Sequence, residues 1–271
     1  MAELSVLMSI YIKEKPEYVD ECFKSLLRQK VKANEWVIVE DGPLTDEMYH
    51  ILDQYQIENP GLIKRVSLVK NKGLGLALKA GVPVCSNELI ARMDTDDIAR
   101  EDRFEIQLHE FEKNPDIDIC GSHIIEFEGT PENILSVRKV PLTHERIVKY
   151  QKMRSAFNHM TVMYKKSAVL KAGNYEHCPL MEDDMLWTRM ILSGAKCANI
   201  DDFLVYARTG SAMIARRGGW DYFKKYKQGK DKIRETGFIG PLDYWKAMLP
   251  QVAISLMPLT VREFVFTKVL R

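Results

Sequence analysis

The chain is 271 residues long, 46% hydrophobic and 28% charged, the composition of a globular protein with a sizeable core, which argues against a disordered or fibrous chain. Its formal net charge of +1 gives no global attraction to nucleic acid, so no nucleic-acid partner is expected and charged ligands must be read from local clusters. The five cysteines, Cys22, Cys85, Cys120, Cys178 and Cys197, are odd in number, widely spaced and free of CxxC or Cys/His patterns, which argues against a disulfide framework or zinc site and makes a reducing cytoplasm the expected compartment.

The N-terminus runs directly into a strand-like segment, without the basic flank and cleavage site of a signal peptide. Apolar runs at 4–10, 36–39, 63–69 and 88–93 alternate with amphipathic segments at 16–29, 45–57 and 74–82. That alternation predicts an α/β domain with a mostly parallel, doubly wound sheet. Pro16 suits the first turn of its helix, and Gly73 with Gly75 opens another. Beyond Asp97 the pattern loosens into a helix to about 113, a turn at Asn114-Pro115-Asp116, a strand over 117–127 and a loop holding Gly129 and Pro131. A strand at 161–164, helices at 165–172 and 183–193 and a strand at 196–205 follow. No stretch reaches about 18 uninterrupted apolar residues, so no transmembrane helix is expected. Without a Pro/Gly/Ser linker, the expected division is a catalytic domain over 1–217 and a C-terminal helical extension over 218–271.

In open α/β sheets, ligands bind beyond the carboxyl ends of the strands. Polar clusters fall at four such ends: Ser9-Ile10-Tyr11, Glu40-Asp41-Gly42, Lys70-Asn71-Lys72-Gly73 and Arg92-Met93-Asp94-Thr95-Asp96-Asp97. The carboxylates of Asp94, Asp96 and Asp97, delivered together, favour a hard divalent cation. Mg2+ or Mn2+ held by one or two Asp completes its shell with phosphate oxygens, so a metal–diphosphate is the expected ligand. The plainer alternative is an acidic turn in which Asp96 or Asp97 caps the helix beginning near Arg100. Asp41-Gly42-Pro43 is likewise a common turn. Lys72-Gly73-Leu74-Gly75 has neither the GxGxxG spacing nor the Walker lysine, so it supports neither a dinucleotide fold nor a P-loop. Glu182-Asp183-Asp184 opens an amphipathic helix, where acidic residues also serve the helix dipole.

Val37-Ile38-Val39-Glu40-Asp41-Gly42, Asn71-Lys72-Gly73, Arg92-Met93-Asp94-Thr95-Asp96-Asp97 and Met181-Glu182-Asp183-Asp184, in that order, resemble the family 2 glycosyltransferases with the GT-A fold, over roughly residues 4–210. The resemblance implies a Rossmann-like sheet with helices on both faces and transfer of one sugar from a nucleotide sugar, UDP-linked, to a glycan acceptor. Ser9, Tyr11 and Asp41 match positions that hold the uridine, and Lys72 and Arg92 match positions lining the nucleotide. Asp94-Thr95-Asp96 matches the DxD motif: Asp96 is the expected ligand of Mn2+ or Mg2+, and Asp94 stands beside it facing the ribose, the sugar or the same metal. Asp97 extends the motif to DxDD. Such a metal neutralises the departing diphosphate, so only a base for the acceptor hydroxyl is further required. Asp183 is the candidate base and Glu182 a residue orienting the site or the acceptor. A base with no carboxylate nucleophile implies inversion at the anomeric carbon, whereas a nucleophile would give retention.

The basic segment from Arg208 to Gly219 contains Arg208, Arg216 and Arg217, whose forks suit diphosphate oxygens, and Gly218-Gly219 permits a lid to move. It lacks the QxxRW pattern of processive synthases, which argues against polymerisation. His159 either touches the acceptor or metal or is a hydrogen-bonded structural residue. From Arg216 to Glu235 eight Lys or Arg face three acidic residues, interleaved with Trp220, Tyr222, Phe223 and Tyr226. The apolar stretch at 245–259 is broken by Pro250 and Pro258, too short to span a bilayer. This pattern suits peripheral attachment to an anionic membrane, on the inner face of the cell membrane, or packing against the catalytic domain or a second copy in a homodimer. The acceptor expected is lipid-linked, as in capsule, exopolysaccharide or O-antigen assembly, and galactose, glucose and N-acetylhexosamine donors remain open. The alternatives are a sugar-phosphate nucleotidyltransferase, which usually carries a Gly-rich basic loop after the first strand where residues 9–16 have no glycine, and a non-catalytic nucleotide- or carbohydrate-binding module.

Overall fold

The computed structural model describes residues 2–210, 218–258 and 261–262. Its first half is a βαβαβαβ unit: β1 (Ala2–Ile10), α1 (Pro16–Leu27), β2 (Ala33–Glu40), α2 (Asp46–Glu58), β3 (Ile63–Ser67), α3 (Leu74–Val84) and β4 (Leu89–Arg92). The four strands pair in parallel in the order β3-β2-β1-β4. β1 and β2 read as near-continuous apolar runs because both sheet faces are covered. Val6, Met8, Ile10, Trp36 and Ile38 pack with α1 and α2, whereas the alternate residues Leu7, Val37 and Val39 pack with α3. The parallel strands therefore all end along one edge, where the polar clusters lie.

The second half joins the same sheet differently. Beyond β4 the order continues β8 (Met163–Lys165), β6 (Ile119–Phe127), β9 (Cys197–Arg208) and β5 (Ile98–Ala99), with β7 (Ile134–Arg138) paired to β6. β6 and β9 are parallel, but β8 lies antiparallel to both β4 and β6, and β5 runs antiparallel to β9. The parallel character is thus concentrated in the first four strands and the complete sheet is mixed. Three-residue β8 fills the gap between β4 and β6 in the antiparallel sense, with α6 following it directly. The expected loop after β6 is partly a hairpin, with β7 following the turn at Gly129 (φ 73°).

The remaining described helices are α4 (Arg103–Lys113), α5 (His144–Gln151), α6 (Lys166–Lys171), α7 (Glu182–Leu192), α8 (Trp220–Glu235) and α9 (Pro241–Leu256), with a 3-10 turn at His159–Thr161. α8 and α9 form the C-terminal helical extension. Their Phe223, Ile233, Tyr244 and Met248, with Phe238 between the two helices, share a small core with Cys178 and Met181 just before α7 and Met185 within it. Gly229 permits that contact, because a Cβ there would lie 2.5 Å from the Met181 sulfur. Among the described residues no helix is long and apolar enough to cross a membrane.

Candidate active site

The floor of the site is the end of β4. Arg92 is only 1% exposed; its Nη2 pairs with Asp94 Oδ1 at 2.5 Å, while Nε and Nη1 have no hydrogen-bond partner among the described residues. The strand is fixed from both sides, since the Arg92 amide donates to the Val162 carbonyl and the Arg92 carbonyl accepts from Arg103 Nη2, both at 2.8 Å. The turn that follows brings Asp94, Asp96 and Asp97 together. Burial and the neighbouring Asp94 push the Asp96 carboxyl up to about 6, and burial with Asp96 and Asp94 pushes buried Asp97 well above the usual carboxylate range.

Such mutual repulsion is what a bound cation relieves. The donors are hard carboxylate oxygens, which fit Mn2+ or Mg2+. Among the described residues no group of three His, Cys, Asp or Glu side chains gathers as a ready-made cage. The set fits a metal that takes its other ligands from a bound diphosphate rather than a permanently caged ion.

Asp97 is tied into the scaffold: its Oδ1 accepts the Arg208 amide at 2.7 Å, joining the turn to the end of β9. Arg208 itself is spent in the same way. Its Nε donates to the Asp96 carbonyl at 3.0 Å, Nη1 to the Gly129 carbonyl at 2.6 Å, and Nη2 pairs with Glu21. The guanidinium also lies 3.9 Å from the Tyr18 ring centre. The fork expected to grip a diphosphate is therefore occupied in clamping β9, α1 and the acidic turn. Arg216 and the central part of the expected lid, 211–217, lie outside the described residues.

At the other strand ends, Ser9 is half-buried beside Val39 of β2, and Tyr11 follows β1 at the same edge. Asp41 is buried, and its carboxylate accepts the Lys72 and Gly73 amides at 2.7 and 2.9 Å. Gly42, at φ 88°, completes this loop-to-loop contact, since a Cβ would meet the Asn71 nitrogen at 2.5 Å. Asp41 thus organises the Lys72 loop, with lone pairs left for a ligand, and the Lys72 side chain is exposed. The next turn touches the acidic start of α7: a Cβ on Gly75 would sit 2.8 Å from the Glu182 Cβ. Lys72, Gly73 and Glu182 line one small cleft of about 200 Å³ with residues 177–180.

Glu182, Asp183 and Asp184 occupy the first turn of α7. Asp184 is buried and its Oδ1 accepts from Gln151 Nε2 at 2.8 Å. Burial, then the charges of Asp184 and Glu182, push Asp183 up to about 8. Burial raises Glu182 as well, while the Arg92 guanidinium opposes the rise. That coupling reflects the approach of the β4 and α7 clusters. His159 fills the wall between them: its Nε2 lies 3.0 Å from the Tyr175 hydroxyl and its ring packs edge-on to Trp187. Burial and the nearby Arg92 hold it well below the usual histidine range, so it stands neutral. Sequence patterning missed Gln151, Tyr175 and the buried Lys230, none of which carries a motif.

A family model described as "Glycosyl transferase family 2" matches residues 5–175, which spans the β1, β2, β3 and β4 clusters. The chain belongs to the family 2 glycosyltransferases. The transferase is 39% identical over 267 residues to the amylovoran biosynthesis glycosyltransferase AmsE of Erwinia amylovora, covering 97% of this chain and 98% of that one. It is 34% identical over 269 residues to a UDP-Gal:alpha-D-GlcNAc-diphosphoundecaprenol beta-1,3-galactosyltransferase of Escherichia coli, covering 99% of this chain and 97% of that one. These relatives assign the transferase to the polysaccharide-synthesis branch of the family. Its fold is that of the mannosyltransferase PcManGT of Pyrobaculum calidifontis, solved with GDP-Man and Mn2+, with a TM-score of 0.66 at 15% identity over 96% of this chain and 71% of that one.

The raised Asp183 has a consequence for stability. Burial and the charges of Asp184 and Glu182 push its carboxyl up from 3.8 to about 8, so the folded state binds the extra proton between those values. The contribution is present below the unfolded value and is lost as pH rises through the folded one. The melting temperature of Asp183→Asn minus wild type is expected to be smallest near pH 4 and to grow toward pH 8 to 9 (about one proton's linkage). A difference independent of pH, measured by thermal melts across that range, would count against the half-buried, charge-crowded Asp183.

Proposed function

We propose that this transferase is metal-dependent and inverting, and that it moves one sugar from a UDP-sugar to a lipid-linked glycan acceptor. The observation that carries the reading is the confrontation of two carboxylate clusters, Asp94 and Asp96 after β4 and Glu182 and Asp183 on α7, with Arg92 electrostatically coupled to both. The UDP donor and the lipid diphosphate acceptor follow those named for the Escherichia coli relative, which aligns over nearly the whole chain. The GDP-Man neighbour, at 15% identity, bears on fold alone.

In this mechanism Asp96 and Asp94 would hold Mn2+ or Mg2+, which would supply neutralisation of the diphosphate charge. Asp183 accepts the proton of the attacking acceptor hydroxyl. The acceptor oxygen forms its bond to the anomeric carbon as the bond from that carbon to the diphosphate oxygen breaks. Glu182 orients the acceptor, and Arg92, with donors still available, steadies the Asp94 side of the donor pocket. Ser9, Tyr11, Asp41 and Lys72 hold the nucleoside at the outer strand ends. Neutral His159 keeps the wall between the clusters free of a competing positive charge. The catalytic unit runs to residue 217, and the extension from 218 serves the acceptor side.

The setting that goes with such an acceptor is the cytoplasmic face of a membrane. α9 buries Tyr244, Ala247 and Met248 but exposes Leu242, Trp245, Leu249 and Leu256 at helical spacing. The exposed lysines of α8, Lys224, Lys225 and Lys227, supply positive charge nearby. This combination suits an interfacial helix on anionic lipid.

Two measurements test the reading. UDP release from a donor panel, with acceptor, is expected to fall to background in Asp96→Ala and in excess EDTA, and turnover of Asp183→Asn is expected to drop roughly 10²-fold or more while donor affinity holds within a few fold. Full turnover in EDTA with no retained metal would sink the metal-dependent scheme. On anionic liposomes at low salt, the full chain is expected to co-sediment and a Trp245→Ser, Leu249→Ser variant to stay in solution. Wild type remaining in the supernatant, or forming a dimer through that face in solution, would reassign the α9 stripe to a second copy or to bulk solvent.

A further inference from the structure

A second cavity, of about 380 Å³, lies between the start of α7 and the C-terminal helices. Its wall carries Arg138, Arg154, Lys230 and Lys246 against a single acidic side chain, Asp184. The Asp184 carboxylate is already engaged by Gln151. Lys230 is 1% exposed, and its Nζ has no hydrogen-bond partner among the described residues. Asp184 and Asp183 act on it only through space, and neither forms an ion pair with it.

The Lys230 Nζ lies 5.9 Å from the centre of the Tyr226 ring, but a buried ammonium with no hydrogen bond or ion pair is still unfavourable, and a well-packed apolar side chain in its place would be neutral or stabilising. Its presence in a cavity with Arg154 and Lys246 therefore points to a ligand that supplies negative charge. The fold brings it there deliberately: Gly229 lets α8 approach Met181, and the next residue enters the cavity wall. The donor cluster does not account for it, because neither Asp94 nor Asp96 lines this space. The rest of the wall is partly apolar, with Leu180, Pro250 and Ile254, and α9 carries the exposed Leu242, Trp245 and Leu249 along its outer side. A ligand with an anionic head and an apolar tail matches both surfaces.

We propose that this cavity holds the diphosphate of a prenyl-linked acceptor, with Lys230, Arg154 and Lys246 taking its phosphate oxygens and the attached sugar directed to Asp183, the neighbour of Asp184. The inference rests on the glycosyltransferase reading above and adds the subsite by which the acceptor is recognised. Arginine and lysine together suit this chemistry, since charge-assisted bonds to phosphate are among the strongest a protein makes.

The test is calorimetric titration of the full chain, with and without saturating UDP and Mn2+, by farnesyl diphosphate, inorganic pyrophosphate and farnesol as separate arms. Wild type is expected to bind farnesyl diphosphate with UDP present, inorganic pyrophosphate more weakly and farnesol not at all. Lys230→Met and Arg154→Ala are each expected to weaken farnesyl diphosphate by about tenfold or more, the loss of one charge-assisted contact. Lys230→Met keeps the side-chain volume without the charge, so its melting temperature is expected to equal or exceed that of wild type. Equal affinity in wild type and both variants overturns the proposal, as does displacement of farnesyl diphosphate by UDP or equal binding of farnesol. Pyrophosphate binding as tightly as farnesyl diphosphate would assign the cavity to a free anion and overturn the lipid acceptor. UDP release by wild type, read in parallel, reports on the transferase reading alone: turnover with no Lys230-dependent binding rejects only this cavity.

Discussion

Negative charge crowded into a partly buried turn is the constraint around which this transferase is organised. Asp94, Asp96 and Asp97 are delivered within one turn of chain, and the buried guanidinium of Arg92 forms an ion pair with Asp94 among them. The fold spends much of its second half holding the turn in place. β8 backs the Arg92 strand, Arg103 takes its carbonyl, and Arg208 reaches from β9 to clamp the turn to α1. Without those ties, repulsion would open the turn and solvent would relax it. A pre-organised anionic cleft of this kind fits the proposed divalent cation with its own phosphate ligands.

Across the cleft, α7 presents a second acidic group in a different balance. Its helix N-terminus favours carboxylates, yet burial and the neighbouring Asp184 oppose the ionisation of Asp183 and Glu182. A carboxyl lifted toward neutrality is a stronger base than a solvated aspartate once it is ionised, which suits removal of a proton from a sugar hydroxyl. The C-terminal helices complete this side by packing on Met181 and Met185, so the extension and the start of α7 share one small core.

The parallel half of the fold was legible because its helices are long and its strands are buried on both faces, which yields clear periodicity and apolar runs. β5 has two residues, β7 has five after the turn at Gly129, and α5 has eight; none is long enough to produce a reliable period. The insertion of β8 between β4 and β6 depends on pairing across the chain, which local pattern does not carry. The clustering of the strand-end residues was readable from topology alone. The fate of individual side chains was not. Arg208 has the same fork whether it grips carbonyls or phosphate, and Lys230 sits in a basic helix that reads as a solvated face until Gly229 draws it against Met181.

If Asp183 is the base and no carboxylate attacks the sugar, the transfer is a single displacement and the anomeric centre inverts. The most direct measurement is the anomeric proton coupling of the product made from an α-linked UDP-sugar, recorded by NMR before any mutarotation or secondary hydrolysis. A β-configured glycoside is the expected result. An α-configured product would contradict the arrangement and require a protein nucleophile on the donor side of the cleft.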